Sequence, residues 1–575
     1  METEAKVLTE RVDDIPLLIE QLRIMGVPQI LDEIIPVHGN HQGLSVGWIA
    51  AVWLAYILSE ADHRLSRVEP WAEAHLRTLE RLLPEAVRSQ DFTDDRLADV
   101  LDYLSDDASW QLIEQEMGQH QVQVFVLPKD RVWLDSTTTV VYHDPEGNSL
   151  LRHGVSKDHR PDLAQFKTMM SELQGIGVPV ATLVVPGNQA DDGLYLPVFE
   201  QSRLVLGDGL LYIGDSKMEA VQTRAQMAAS HNFYLVPLSQ KGENSTLLRA
   251  LADPVLDKKQ ALVEIRRPDP DSGEERLVAK AYETDRQQEA TLSTGLFQWR
   301  ERILAVYSDS LAKQAADGLD GRLQRTMEKL SALAPTPGRG KRPASDLAIL
   351  QVQVQQVLKH HRVEDLIQVD YERNETQRKV RKYKERPARV ETDIYYQLRI
   401  TQDQAAIATV RRYFGWRLFV TNASEGKMDL ADAVLTYRQS PANERGFSRL
   451  KNHPLGLRPV YLHQTQRIIG LVRLLSVALR LLTVTEFVVR RSLHEQDQVL
   501  GGLYPGNPAR TTQRPTTERI LQAFKNINLT FVELPGHAFA HITPLTQLQQ
   551  SIISLLGFTD GLYSQLVNPT LVNSP

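Results

Sequence analysis

Between residues 122 and 237 the apolar residues change period, and the order of those changes restricts the fold more than any other feature of the chain. The runs FVLPKDRVWLDSTTTVVY, AQFKTMMSELQGIG and VPVATLVVPGNQAD read as three consecutive strands, with Gly175 and Gly177 marking the tight turn between the second and third. A helical DDGLYLPVFEQSR follows, then a strand in LLYIGDSKM, a helix in MEAVQTRAQMAAS and a short fifth strand, NFYLVPL. Three adjacent strands, a crossover helix and a further strand predict a mixed sheet in an α/β domain.

The flanking regions follow other patterns. Residues 14 to about 107 read as helices that open at Asp14 and Ser45, both good capping residues, with Trp48, Trp53 and Trp71 at core spacing. The region from about Gln240 to Thr421 carries strand-like EERLVAKAYET, FQWRERILAVYS and EDLIQVDYE, two helical stretches, and a Pro- and Gly-rich loop, APTPGRGKRPAS. It reads as an inserted subdomain. The chain then returns through the strand WRLFVTNA and the helical DLADAVLTYRQ and ANERGFSRLKN, and ends in a C-terminal region that is helical at first. The expected division is 1–120, a helical N-terminal domain; 121–239 and 416–454, the two parts of a core; 240–415, the insertion; and 455–575.

At 575 residues the chain exceeds one hydrophobic core, and a prior of about 100–200 residues per domain gives roughly three to four units. With no cysteine, thiol chemistry and cysteine zinc sites are excluded, and any metal falls to carboxylates and His, which favours Mg²⁺ or Mn²⁺. The N-terminus lacks a basic and apolar leader, so a cytoplasmic protein is expected. The most apolar stretch, Ile468 to Val484, contains Arg473 and Arg480 and is shorter than the ~20 residues of a membrane span, which favours a buried helix and no membrane partner. A net charge of −7 does not favour nucleic acid, although a local basic face suffices to bind it.

Three carboxylates stand out: Asp135 inside the first strand, Asp215 at the end of the fourth and Glu444 on a short amphipathic helix. Asp is depleted in strands, so each strand acid asks for a reason. Either the two bind metal or they begin turns and cap helices, as DST and DSK allow. Around Glu444, Tyr437 and Lys451 lie seven residues to either side, and Arg438, Arg445 and Arg449 crowd positive charge there. The same helix also fits a solvated surface laced with ion pairs. Lys157, His159 and Arg160 make a basic loop between the first two strands, either for phosphate or self-paired with Asp158 and Asp162. The run RNETQRKVRKYKERPAR, Arg373 to Arg389, suits a DNA backbone or a charged strand edge. His38 with His41 and His360 with His361 lack a third ligand, so zinc is not expected.

Five segments carry a resemblance: WLDSTT around Asp135, GVSKDHRPDLAQ from Gly154 to Gln165, VVPGNQADD from Val184 to Asp192, YIGDSKM around Asp215, and YRQSPANERGFSRLK from Tyr437 to Lys451. In this order the chain resembles DDE transposases of the bacterial IS-four-like superfamily, most closely the IS-sixteen-thirty-four branch, through essentially its whole length. The superfamily's signature around the Glu is Tyr, two residues, Arg, three residues, Glu, six residues, Lys. Tyr437, Glu444 and Lys451 match it, whereas Ser440 stands at the Arg position, with Arg438 and Arg445 as the available substitutes.

The resemblance implies an RNase-H-like catalytic domain with a β-strand-rich insertion, Asp135, Asp215 and Glu444 as metal ligands for two Mg²⁺ or Mn²⁺ ions, and DNA as substrate at transposon ends and target. It implies a homodimer that synapses two ends, with the N-terminal domain on the inverted repeats. Trp299 in LFQWRER is either a base-stacking residue of the insertion or part of its core. Tyr437, Arg438, Arg445, Lys451, Lys157 and Arg160 are the other expected DNA contacts. Two rival readings are a metal-dependent nuclease that cuts without joining, and a catalytically silent DNA-binding protein derived from a mobile element.

Overall fold

The computed structural model describes residues 6–36, 42–269, 273–335, 344–381, 387–438, 441–534 and 537–567. In chain order its strands are β1 (Lys6–Arg11), β2 (Arg131–Val140), β3 (Gln165–Leu173), β4 (Val178–Pro186), β5 (Leu211–Gly214), β6 (Phe233–Pro237), β7 (Val263–Pro268), β8 (Glu275–Leu292), β9 (Gly295–Tyr307), β10 (Ile367–Val380), β11 (Arg389–Gln402), β12 (Trp416–Thr421), β13 (Leu500–Gly501), β14 (Thr511–Thr512), β15 (Asn528–Leu534) and β16 (His537–Ile542). Nine form one mixed sheet in the order β4-β3-β2-β5-β6-β12-β9-β8-β7.

The three adjacent strands are present as read: β2 pairs antiparallel with β3, and β3 with β4. The helix Tyr195–Leu206 then carries the chain across β4 and β3, so that β5 lies parallel to β2 on its far side. A second crossover, through the helix Val221–Ala229, adds β6 parallel to β5. Val, Trp and Thr dominate β2, residues that fit a pleated and enclosed surface.

The 240–415 stretch is only partly a separate subdomain. β12 pairs antiparallel with both β6 and β9, and β9 continues through β8 to β7, so the first half of the insertion extends the main sheet. The second half does form its own unit: the helices Asp309–Leu333 and Leu347–His361 and the β10–β11 hairpin share a core around Leu323, Val354 and Ile367. In the basic run, Arg373 pairs with Glu375, and Arg378 and Arg389 both pair with Glu391; residues 382–386 lie outside the described set.

One face of the sheet packs on the large core that unites the N-terminal helices with the helix Thr465–Glu495. That helix is long and apolar enough to cross a membrane by composition alone, and 94% of its apolar window is buried inside the protein. Trp48, Trp53 and Trp71 lie in this core, as their spacing predicts. Asp14 does not cap with its side chain; its Oδ1 accepts from Ser59, and Ser45 donates its hydroxyl to Asp32. The N-terminal region also contains a strand, β1, which pairs with β15 more than 500 residues away. The opposite face of the sheet carries a smaller core of Trp133, Leu211, Ile213, Leu235 and Phe419 under the helix Leu430–Tyr437. The edges are β4, under the helices Tyr195–Leu206 and Thr465–Glu495, and β7, which ends in Arg266, Arg267 and Pro268.

Two features of the helix Thr465–Glu495 give predictions. A Cβ on Gly470 would lie 2.1 Å from the Leu101 carbonyl oxygen, so the crossing with the helix Asp94–Leu104 requires glycine. Gly470→Ala is expected to lower stability by roughly 1–3 kcal/mol, read as a lower urea midpoint. Farther along, Arg480 Nη2 lies 3.5 Å from buried Glu114 and donates to the Val180 carbonyl at 2.7 Å. Burial raises the Glu114 carboxyl from 4.5 to about 8 against the pull of Arg480. The folded state therefore holds a proton that the unfolded chain has released, and this group's contribution to stability falls as pH rises through that window, by at most about 1.4 kcal/mol per pH unit. Glu114→Gln should gain stability relative to the native chain between pH 5 and pH 8, and a constant difference would contradict the assignment.

Candidate active site

The parallel register of β2 with β5 sets Leu134 opposite Gly214, so Asp135 and Asp215 come one step later on adjoining strands. Their proximity is electrostatic as well as topological. Burial raises the Asp135 carboxyl above its ordinary value and the charge of Asp215 adds to this, while Lys157 and the Ser136 amide oppose it. Asp135 Oδ1 accepts from the Ser136 amide at 2.7 Å, and the Lys157 ammonium stands 3.6 Å away. Asp215 Oδ1 accepts from Tyr195 Oη at 2.5 Å and from the Lys217 amide at 2.8 Å, which caps the short turn Ser216–Glu219. Capping and pairing thus coexist in Asp215.

The basic loop is drawn inward onto β2. Lys157 Nζ donates to the Ser136 carbonyl at 2.5 Å and to its hydroxyl at 2.9 Å, and the Lys157 amide donates to Thr138 Oγ1. Asp158 accepts from Lys451 Nζ at 2.9 Å and pairs with Arg458, while Lys451 also donates to the Thr138 carbonyl. Arg160 pairs with exposed Asp162 at 2.7 Å. His159 adopts a left-handed φ of 57° within this turn.

Glu444 is exposed on the first turn of the helix Pro441–Lys451. Among the described residues no group of three His, Asp or Glu side chains is placed to hold one metal ion, and the sheet sets Asp135 and Asp215 on adjoining strands. Other expected DNA contacts also differ in what they touch. Lys451 is buried and spends its ammonium on Asp158 and the Thr138 carbonyl. Arg445 pairs with Glu486 at 2.5 Å, and Arg449 bridges Glu486 and Glu518. Trp299 is 8% exposed, stacks with Phe297 and donates Nε1 to Tyr234 at 2.8 Å, the core alternative rather than base stacking. Trp416 is buried too. Ser440, His38 and His41 lie outside the described residues.

Tyr437 lines the same cleft as Asp215. Its ring packs on Trp133 and Phe419, with centroids 5.4 and 4.8 Å apart, and burial followed by Asp215 pushes its hydroxyl up to about 12. Asp215, Lys217, Lys241, Arg417 and Tyr437 line a cleft of about 650 Å³. Arg438 follows Tyr437 and is half-buried.

Glu172 is a site residue that its sequence setting hides. In QFKTMMSEL it reads as one more polar position of an alternating strand, yet it is 2% exposed, and neither carboxylate oxygen has a hydrogen-bond partner. Burial and the charge of Asp135 raise it well above the ordinary range. A Cβ on Gly446 would stand 2.7 Å from its Oε1, so the Glu444 helix passes over Glu172 at glycine distance. Tyr195, buried against Asp215, is similarly unmarked in the sequence.

Comparison with known proteins adds little. Residues 7–115 match a family described as "Domain of unknown function (DUF4277)". No curated protein matches the chain. Among solved structures, the one described as the cryo-EM structure of piggyBac transposase synaptic complex with hairpin DNA aligns over 99% of this chain and 87% of that one, at 8% identity and a TM-score of 0.33, below the level at which a shared fold follows.

The Lys451 contacts give a direct prediction. Lys451→Met should loosen the loop 154–163 at Asp158, with the Lys157 bonds to β2 remaining, at a cost of about 1–3 kcal/mol, and limited proteolysis should cut that loop faster than in the native chain.

Proposed function

We propose that the chain is a DDE-type DNA transposase with an RNase-H-like core, which cuts DNA at the ends of a mobile element and joins them to a target. The observation that carries this reading is the side-by-side placement of Asp135 and Asp215 on parallel strands beside a cationic cleft. The block β4-β3-β2-β5-β6, with both acids on its central parallel pair, supports the RNase-H-like assignment.

The donor chemistry fits hard divalent ions, Mg²⁺ or Mn²⁺. The charge of Asp215 adds to the cost of ionising buried Asp135, and Glu172 adds an enclosed carboxylate whose oxygens have no hydrogen-bond partner; a cation relieves both. Asp135 and Asp215 would hold the metal, with Glu444 contributed by the first turn of its helix once DNA is bound. When bound, a pair of such ions stabilises the attacking and leaving oxygens of an in-line displacement. The protein's own groups prepare that chemistry: Tyr195 and the Lys217 amide fix the Asp215 carboxylate, Lys157 holds Asp135, and Tyr437 roofs the cleft. Cutting and joining two ends implies a homodimer on DNA, with the helical N-terminal region on the inverted repeats.

The test uses duplexes carrying the sequences that flank the gene, with a target plasmid and Mg²⁺. Asp135→Asn and Asp215→Asn should each lower cleavage by roughly a thousandfold, about 4 kcal/mol of barrier, while binding to the same duplex in EDTA is retained. Mn²⁺ binding followed by electron paramagnetic resonance should weaken in both variants. Cleavage without a joined product would reduce the protein to a nuclease, and unchanged DNA processing in Asp135→Asn would remove the catalytic reading.

A further inference from the structure

Beyond the carboxylate pair, the cleft continues as a trough. The cavity of about 650 Å³ at Asp215 shares Arg417, Tyr437, Leu311 and Gly415 with a second of about 470 Å³. The second shares Arg267, Arg438, Val278 and Ser310 with a third of about 420 Å³. Three arginines stand along its length, brought from distant parts of the chain: Arg267 from edge strand β7, Arg417 from β12, and Arg438 from the residue after the helix Leu430–Tyr437.

Their charges are uncompensated. Many described arginines are ion-paired, as Arg131 is with Asp432 and Arg445 with Glu486. Among the described residues Arg267, Arg417 and Arg438 have no carboxylate within salt-bridge distance. Asp269 and Asp309 line only the far cavity. Burial, then Arg267 and Arg417, lower the Arg438 guanidinium below its ordinary value, so the three feel one another. Gathering like charges beside a half-buried guanidinium costs free energy, and a ligand that supplies several anionic oxygens returns it. Guanidinium forks match phosphate in geometry as well as charge. Ser308 and Ser310, joined at 3.0 Å through their hydroxyls, add neutral donors to the same wall.

We propose that Arg267, Arg417 and Arg438 form a phosphodiester-binding station that holds the DNA backbone as it runs away from the carboxylate pair. This rests on the reading of the chain as a DNA-cutting enzyme. It assigns to the first half of the insertion a role in gripping substrate, through Arg267 on β7, beside Arg417 on β12 of the core. Arg267 and Arg417 are exposed, so their replacement leaves the core intact.

The experiment measures full-length protein against a labelled duplex in EDTA, over a range of NaCl concentrations, by fluorescence anisotropy. Arg267→Gln and Arg417→Gln should each reduce the slope of log affinity against log salt by about one, with the melting temperature unchanged. The double variant should lose about two, and Arg→Lys replacements should keep the slope while weakening binding. Slopes unchanged in the double variant would overturn the station even if Asp135→Asn still abolishes cleavage, which leaves the transposase reading standing. Reduced slopes in a protein that cuts no DNA would keep the station and remove that reading. Two further arms settle the source of the phosphate. Stabilisation by inorganic phosphate or a nucleotide that vanishes in the double variant, with duplex affinity unchanged, would overturn the proposal in favour of a small ligand. An RNA duplex bound more tightly than DNA, with the same dependence on Arg267 and Arg417, would overturn it in favour of RNA.

Discussion

The parallel pairing of β2 with β5 is the constraint on which the rest of the site depends. Its register decides that Asp135 and Asp215 arrive together, and a slip of one residue would turn one of them to the other face of the sheet. Each acid then carries its own brace: Lys157 and the Ser136 amide for Asp135, Tyr195 and the Lys217 amide for Asp215. The braces come from four separate segments, so the sheet places the charges and the surrounding loops and helices tolerate them.

The Glu444 helix is fixed by charge rather than by apolar surface alone. At its far end Lys451 holds Asp158 and β2, and along its side Arg445 and Arg449 converge on Glu486 of the helix Thr465–Glu495. Gly446 lets it settle against Glu172. Buried ion pairs of this kind add little net stability but are costly to break singly. Here they set the height and rotation of the helix over the sheet, while Glu444 itself is exposed.

The parts legible in the sequence are those set by local pattern. β-branched runs and the glycines at 175 and 177 marked β2, β3 and β4, the crossover helix followed from its period, and both strand acids stood out against apolar neighbours. What escaped depends on partners remote in the chain. That β7, β8 and β9 extend the core sheet is decided by β12, which lies more than 100 residues after β9. Glu172 is disguised by its alternating strand and revealed only by Gly446. Lys451 lies in a basic segment that suggests a DNA contact, and turns inward because Asp158, nearly 300 residues earlier, lies beneath it. The three trough arginines are ordinary charged positions until the fold assembles them.

Both borders of the nine-stranded sheet are closed. β4 begins Val-Pro, ends in Pro186 and lies under two helices, and β7 ends in a run of charge and Pro268. Proline offers no amide to a new neighbour, and charged borders resist one. Both borders thus disfavour a strand from a second copy. Contacts made away from those borders can form and part without disturbing the hydrogen bonds that keep the two aspartates in step.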